Sequence, residues 1–101
     1  MYRIAICDDD LVFGSLLEQY LQNFAKTRRI PIDVLVFARG EEYLEFLIEE
    51  FPVDLIFLDI QFEKGLDGVQ IGKELRADIK NEMTQIIYIS GIESYAMQLF
   101  Q

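Results

Sequence analysis

The chain has 101 residues, 51% of them hydrophobic, and 9 Lys and Arg against 18 Asp and Glu give a formal charge of −9. One domain with a packed core fits that length, while the charge argues against direct binding of nucleic acid or an anionic membrane. The single cysteine, Cys7, and the absence of histidine exclude an internal disulfide, His-ligated metals and His-activated nucleophiles.

Arg3-Ile4-Ala5-Ile6-Cys7 is continuous and apolar after its Arg, the pattern of a strand buried on both faces of a parallel sheet. Asp8, Asp9 and Asp10 follow directly. Leu11, Val12, Phe13, Leu16, Leu17, Tyr20, Leu21 and Phe24 then recur at helical spacing, with an Asp placed to cap the helix N-terminus. This helix is expected to end near Lys26, and the cations Arg28 and Arg29 suit the negative end of its dipole. Pro31 opens a second strand, Ile32 to Phe37, whose lone Asp33 marks it as an outer strand. Glu41 to Glu50 predicts a short helix with Tyr43, Leu44, Leu47 and Ile48 inward and an acidic solvated face. Phe51-Pro52 ends it.

The most apolar run, Leu55-Ile56-Phe57-Leu58, is expected to be a central strand, closed by Asp59. A helix from Asp67 or Gly68 through Ile79, a fourth strand Ile86 to Ile89 ending at Ser90-Gly91, and a last helix Glu93 to Phe100 complete the order. Strand and helix alternate throughout, which specifies an open, doubly wound parallel α/β sheet. No apolar run approaches the roughly 18 residues that span a bilayer, and the N-terminus lacks a signal-peptide pattern. A soluble, cytoplasmic protein is therefore expected.

Open parallel sheets collect function at the C-terminal ends of their strands. Asp8, Asp9 and Asp10 stand after the first strand, Asp59 after the third and Ser90 after the fourth. If these strands are neighbours, their carboxylates repel one another unless a cation neutralises them. An oxygen-only donor set suits magnesium rather than zinc. The same cation makes one carboxylate a workable nucleophile toward a phosphoryl group, with Ser90 in reach of a phosphoryl oxygen. An Asp at a strand end is also a common helix cap or turn residue, and Asp10 and Asp67 fit that simpler role.

Four segments together resemble the receiver domain of two-component response regulators: Ile4-Ala5-Ile6-Cys7-Asp8-Asp9-Asp10, Asp54-Leu55-Ile56-Phe57-Leu58-Asp59-Ile60, Leu66-Asp67-Gly68-Val69 and Ile86-Ile87-Tyr88-Ile89-Ser90-Gly91. The resemblance covers essentially the whole chain. It implies a flavodoxin-like sheet, here in order 2-1-3-4. It implies Asp59 as phosphoacceptor, Asp8, Asp9 and Asp59 as magnesium ligands with the backbone carbonyl of Gln61, and Ser90 as the switch hydroxyl. A sensor histidine kinase would be the phosphodonor, with the domain itself catalysing the transfer and otherwise not acting as an enzyme. The tail from Ser90 to Phe100 is similar to receivers of the LytTR class, whose DNA-binding domain lies outside this chain.

Two departures stand out. Receivers carry a Pro four residues after the phosphoacceptor, where this chain has Glu63 in a loop that looks one residue longer. They also have a fifth strand and helix and a Lys after that strand, a position that neither Lys73 nor Lys80 fills. An uncovered fourth strand is then expected to give a homodimer through its edge, strand exchange or poor solubility. Two other readings stay open. One is a receiver that is never phosphorylated and serves as a dimerisation module. The other is a fragment of a haloacid-dehalogenase-type phosphatase, whose D-x-D-x-[TV] opening Asp8-Asp9-Asp10-Leu11-Val12 also fits, with Asp8 as nucleophile and Asp10 as acid–base. Cys7 is expected to be a buried structural residue.

Overall fold

A computed structural model describes residues 1–60, 68–78 and 81–89. Four strands, β1 (Tyr2–Cys7), β2 (Ile32–Phe37), β3 (Leu55–Asp59) and β4 (Gln85–Ile89), alternate with three helices, α1 (Leu11–Arg28), α2 (Gly40–Glu49) and α3 (Gly68–Ala77). The strands are all parallel, in the order β2-β1-β3-β4. The doubly wound flavodoxin-like arrangement expected from the sequence is therefore present. The last helix, Glu93 to Phe100, lies outside the described residues.

The alternation of side chains along each strand explains why the central strands read as unbroken apolar runs. On one face of the sheet Ile4, Ile6 and Phe57 pack with Phe13 and Leu17 of α1. On the other, Ala5, Cys7, Ile56 and Leu58 pack with Tyr43 and Leu47 of α2 and with Ile71 and Leu75 of α3. Removing a Leu or Ile side chain of this kind from water contributes about 1.5–3 kcal/mol. β2 lies at one edge, as Asp33 foretold, and Asp33 is exposed.

Asp10 caps α1 by accepting a hydrogen bond from the Phe13 N–H at 3.0 Å. At the other end the chain reverses through Arg29 in the left-handed region (φ 56°). The Ile30 N–H reaches the Ala25 carbonyl at 2.8 Å, and the Arg29 N–H reaches that of Lys26 at 3.2 Å, so late carbonyls of the helix are satisfied. The helix runs on to Arg28, past the end expected at Lys26.

Helix α2 departs from expectation at one residue. Tyr43 and Leu47 are buried, but Ile48 is 79% exposed. Tyr43 and Leu47 lie one turn apart on the face that meets the sheet, and Ile48 is rotated about 100° away from Leu47. The exposed glutamates Glu42, Glu45, Glu49 and Glu50 form the solvated face read from the sequence.

At the N-terminal end of the strands, Asp54 ties three of them together. Its carboxylate accepts from the Arg3 N–H at 2.8 Å, its N–H donates to the Arg3 carbonyl, and its own carbonyl accepts from the Gln85 N–H. Buried Thr84 donates its hydroxyl to the Val53 carbonyl at 2.7 Å. Chemistry at this pole is spent on structure.

Candidate metal and phosphoryl site

The order β2-β1-β3 makes the C-terminal ends of β1 and β3 neighbours, with Cys7 opposite Leu58 in the ladder. Asp8 and Asp59 are the groups that close these two ends. Both are buried, 5% and 4% exposed, although they are carboxylates. Asp9 is less buried and turns toward the same point. One carboxylate oxygen from each of Asp8, Asp9 and Asp59 lies within 4.8 Å of the other two.

The three consecutive aspartates have separate tasks. Asp10 turns back to cap α1. Asp8 turns to the strand ends, where its Oδ1 accepts the Asp10 N–H at 2.9 Å. That hydrogen bond fixes the carboxyl in a tight turn just before the helix. The Asp8 N–H donates to the Phe37 carbonyl at 3.0 Å, which extends the β1–β2 pairing beyond the strands themselves.

The Asp8 carboxyl is raised from 3.8 to about 7, chiefly by burial and against the opposing pull of the Asp10 N–H. The charge of Asp59, a hydrogen bond between the two carboxyls and the charge of Asp9 contribute smaller parts of that rise. Such a cluster is unfavourable in isolation and favourable around a cation. The donors are oxygen only, and the cluster is anionic and partly open. That is the environment of a hard divalent ion that keeps some of its waters. The residues present therefore fit magnesium.

Helix α3 abuts the same strand end. The Gly68 N–H donates to the Ile60 carbonyl at 3.0 Å. A Cβ on Gly68 would overlap the Asp59 carbonyl oxygen. One turn later, a Cβ on Gly72 would collide with the Tyr88 hydroxyl on β4. From sequence, Gly68 reads as a helix start and as part of the Leu66-Asp67-Gly68-Val69 segment that carries the resemblance, and Gly72 only as a member of the helix. A Gly four residues from another, at the beginning of a helix that follows the acidic strand, is the signal that could have pointed to a close backbone approach.

Gln61, Ser90 and the loop carrying Glu63 lie outside the described residues, as does Gly91. Cys7 is fully buried, and burial pushes its thiol far above the ordinary value, with the charges of Glu42 and Asp8 adding to the effect. A thiol so placed is a packing group and not a nucleophile. Away from the acidic cluster, an almost wholly apolar cavity of about 390 Å³ lies between α1 and the N-terminal ends of the strands, lined by Leu21, Phe24, Ile32 and Leu55 among others. Asp54, also on its wall, is already hydrogen-bonded to Arg3. This cavity lacks the convergent polar groups of the cluster. Among the described residues no helix is long and apolar enough to cross a membrane.

A family model described as "Response regulator receiver domain" matches residues 4–101. The chain belongs to that family and is a receiver domain of a two-component response regulator. It is 32% identical over 62 residues to the sensory transduction protein LytT of Oceanobacillus iheyensis; the match covers 61% of this chain and 24% of that protein. Among solved structures, it is similar to the MaeR response regulator bound to beryllium trifluoride, with TM-score 0.74 and 20% identity over 90% of this chain and 68% of that one. It is also similar to the response regulator protein TrrA from Thermotoga maritima in complex with Mg(2+)-BeF, with TM-score 0.73 and 26% identity over 95% of this chain and 81% of that one.

Proposed function

We propose that this receiver accepts a phosphoryl group on Asp59 from a partner histidine kinase, and that the modified surface switches a transcription-regulating output domain outside this chain. The observation that carries the reading is the convergence of the Asp8, Asp9 and Asp59 carboxylates within 4.8 Å at the C-terminal ends of β1 and β3. Asp8, Asp9 and Asp59 would hold magnesium, with the Gln61 carbonyl as a further ligand. When bound, the ion supplies charge neutralisation at the phosphoryl oxygens.

The remaining steps belong to the chain and its donor. An Asp59 carboxylate oxygen forms a bond to phosphorus as the phosphorus–nitrogen bond of the donor phosphohistidine breaks, and the departing imidazole takes a proton from solvent. Asp59 is suited to this because β3 is central and both of its faces are packed, so its end is held rigidly. Pre-positioning of the acceptor is the main catalytic contribution available to such a site. Asp8 and Asp9 supply oxygen donors beside Asp59 for the cation to bind. Ser90 donates its hydroxyl to a phosphoryl oxygen and so passes the change on to the segment that follows β4 in sequence. The domain catalyses its own modification and no turnover reaction. The setting is cytoplasmic.

Incubation with acetyl phosphate and magnesium tests the assignment. The expected product carries the label on Asp59, and Asp59→Asn abolishes it. Label on Asp8 would instead support the phosphatase reading. No magnesium-dependent response of the wild-type chain to beryllofluoride would support the receiver that is never phosphorylated. Among the described residues β4 is an outer strand, and its edge suits pairing with a second copy, since Gln85 to Ile89 carries neither charge nor proline while the β2 edge has Asp33. A monodisperse monomer in light scattering at high concentration would overturn that part.

A further inference from the structure

We infer that Gly68 is a positioning residue for Asp59, acting through the phosphoacceptor's own backbone. The inference rests on the reading of Asp59 as the phosphoacceptor.

A Cβ built on Gly68 meets only main chain. It overlaps the Asp59 carbonyl oxygen and comes within 2.6 Å of the Asp59 carbonyl carbon and 2.9 Å of the Ile60 Cα. None of these atoms can rotate aside. Either the end of β3 shifts or α3 retreats, and a retreat breaks the Gly68 N–H bond to the Ile60 carbonyl. The side chain displaced with that backbone is the Asp59 carboxyl, which is buried and shares the 4.8 Å cluster with Asp8 and Asp9. The missing side chain at Gly68 thus sets how closely α3 seats on the phosphoacceptor, and so where the attacking oxygen stands.

Gly72 supplies an internal control. It lies one turn along the same helix, and its Cβ would also meet a neighbour, here the Tyr88 hydroxyl, with the Tyr88 Cζ at 3.0 Å and Cε1 at 3.2 Å. Those atoms are the far end of a side chain that is 46% exposed. Tyr88 can swing toward solvent, so the strain there is relieved without moving β3. Gly72→Ala also raises helix propensity at an interior position, whereas Gly68 is the first residue of α3, where that gain is smaller. The two changes differ above all in what the methyl group meets.

The experiment compares wild type, Gly68→Ala and Gly72→Ala in the full chain, with acetyl phosphate and magnesium both saturating. The rate of Asp59 labelling is read by mass, alongside the urea midpoint and far-UV circular dichroism. Gly68→Ala is expected to slow labelling on the order of 10- to 100-fold, the scale of a misplaced reacting group. Gly72→Ala is expected to label near the wild-type rate. Rates are expressed per folded molecule. If Gly68→Ala lowers the folded fraction, trimethylamine N-oxide restores compaction and the comparison is repeated. A mere packing role lowers the urea midpoint but leaves the rate per folded molecule unchanged. Wild-type labelling by folded Gly68→Ala overturns the inference and leaves the role of Asp59 intact. Equal slowing in both variants also overturns it, because any added methyl on α3 would then suffice. An unlabelled wild-type chain overturns the reading of Asp59 itself, and the inference with it.

Discussion

Replacing Asp8 by Asn should stabilise the metal-free chain at neutral and alkaline pH. The Asn Oδ1 still accepts the Asp10 N–H that Asp8 accepts at 2.9 Å, so the change removes charge with little change of shape. The Asp8 carboxyl is raised from 3.8 to about 7, first by burial. The folded state therefore holds this proton more tightly than the unfolded chain does. Its contribution is fully present below about pH 4 and is lost as pH rises through about 7, since above that the folded state carries an unfavourable charge. A rise of that size corresponds to at most roughly 4 kcal/mol, from about 1.4 kcal/mol for each tenfold change in proton affinity. Water at the strand ends and local relaxation screen the charges, which reduces the expected gain for Asp8→Asn to about 1–2 kcal/mol. Urea unfolding in a chelator measures it. The variant should exceed wild type at about pH 8, and the difference should close below about pH 4, as Asp8 becomes protonated in both states. Magnesium should reverse the order, because wild type gains roughly 2.7 kcal/mol at a hundredfold excess over its dissociation constant. A gain of equal size at acid and alkaline pH would refute the reasoning, since it would then owe nothing to charge.

Other substitutions probe the frame around the site. Asp10→Ala removes the cap of α1 seen in the 3.0 Å bond from Phe13; it should cost about 1 kcal/mol in urea unfolding and leave magnesium affinity within about threefold, a shift of well under 1 kcal/mol. Arg29→Gly relieves a left-handed backbone position at φ 56°, and should raise stability by about 0.5–1 kcal/mol, read as a higher melting temperature. Ile71→Ala opens a void in a fully buried part of the α2–α3 face, with an expected loss of about 2–5 kcal/mol by denaturant titration. Thr84→Val keeps the shape but leaves the buried Val53 carbonyl without its 2.7 Å donor; about 1–3 kcal/mol should be lost.

Much of this molecule was legible in its sequence because the informative patterns are local. Period-two burial on both faces makes Ile4 to Cys7 and Leu55 to Leu58 apolar throughout, so parallel strands could be read without knowledge of their neighbours. Asp33 betrayed the edge strand, and Asp10 the start of α1. The alternation of strand and helix then placed the candidate carboxylates at one end of the sheet.

What the sequence determined by itself was the set of elements and the chemical character of the site: acidic, with oxygen donors and no histidine. Tertiary structure decided distances and directions. It turned Asp8 toward Asp59 and Asp10 toward the helix, although both belong to one run of three identical residues. It left Ile48 in solvent, because a helix face is chosen by what lies across from it. It also gave Gly68 a meaning that no periodicity carries. The spacing of Gly68 and Gly72 can hint at a close approach, but only the fold shows what is approached, here the backbone of Asp59.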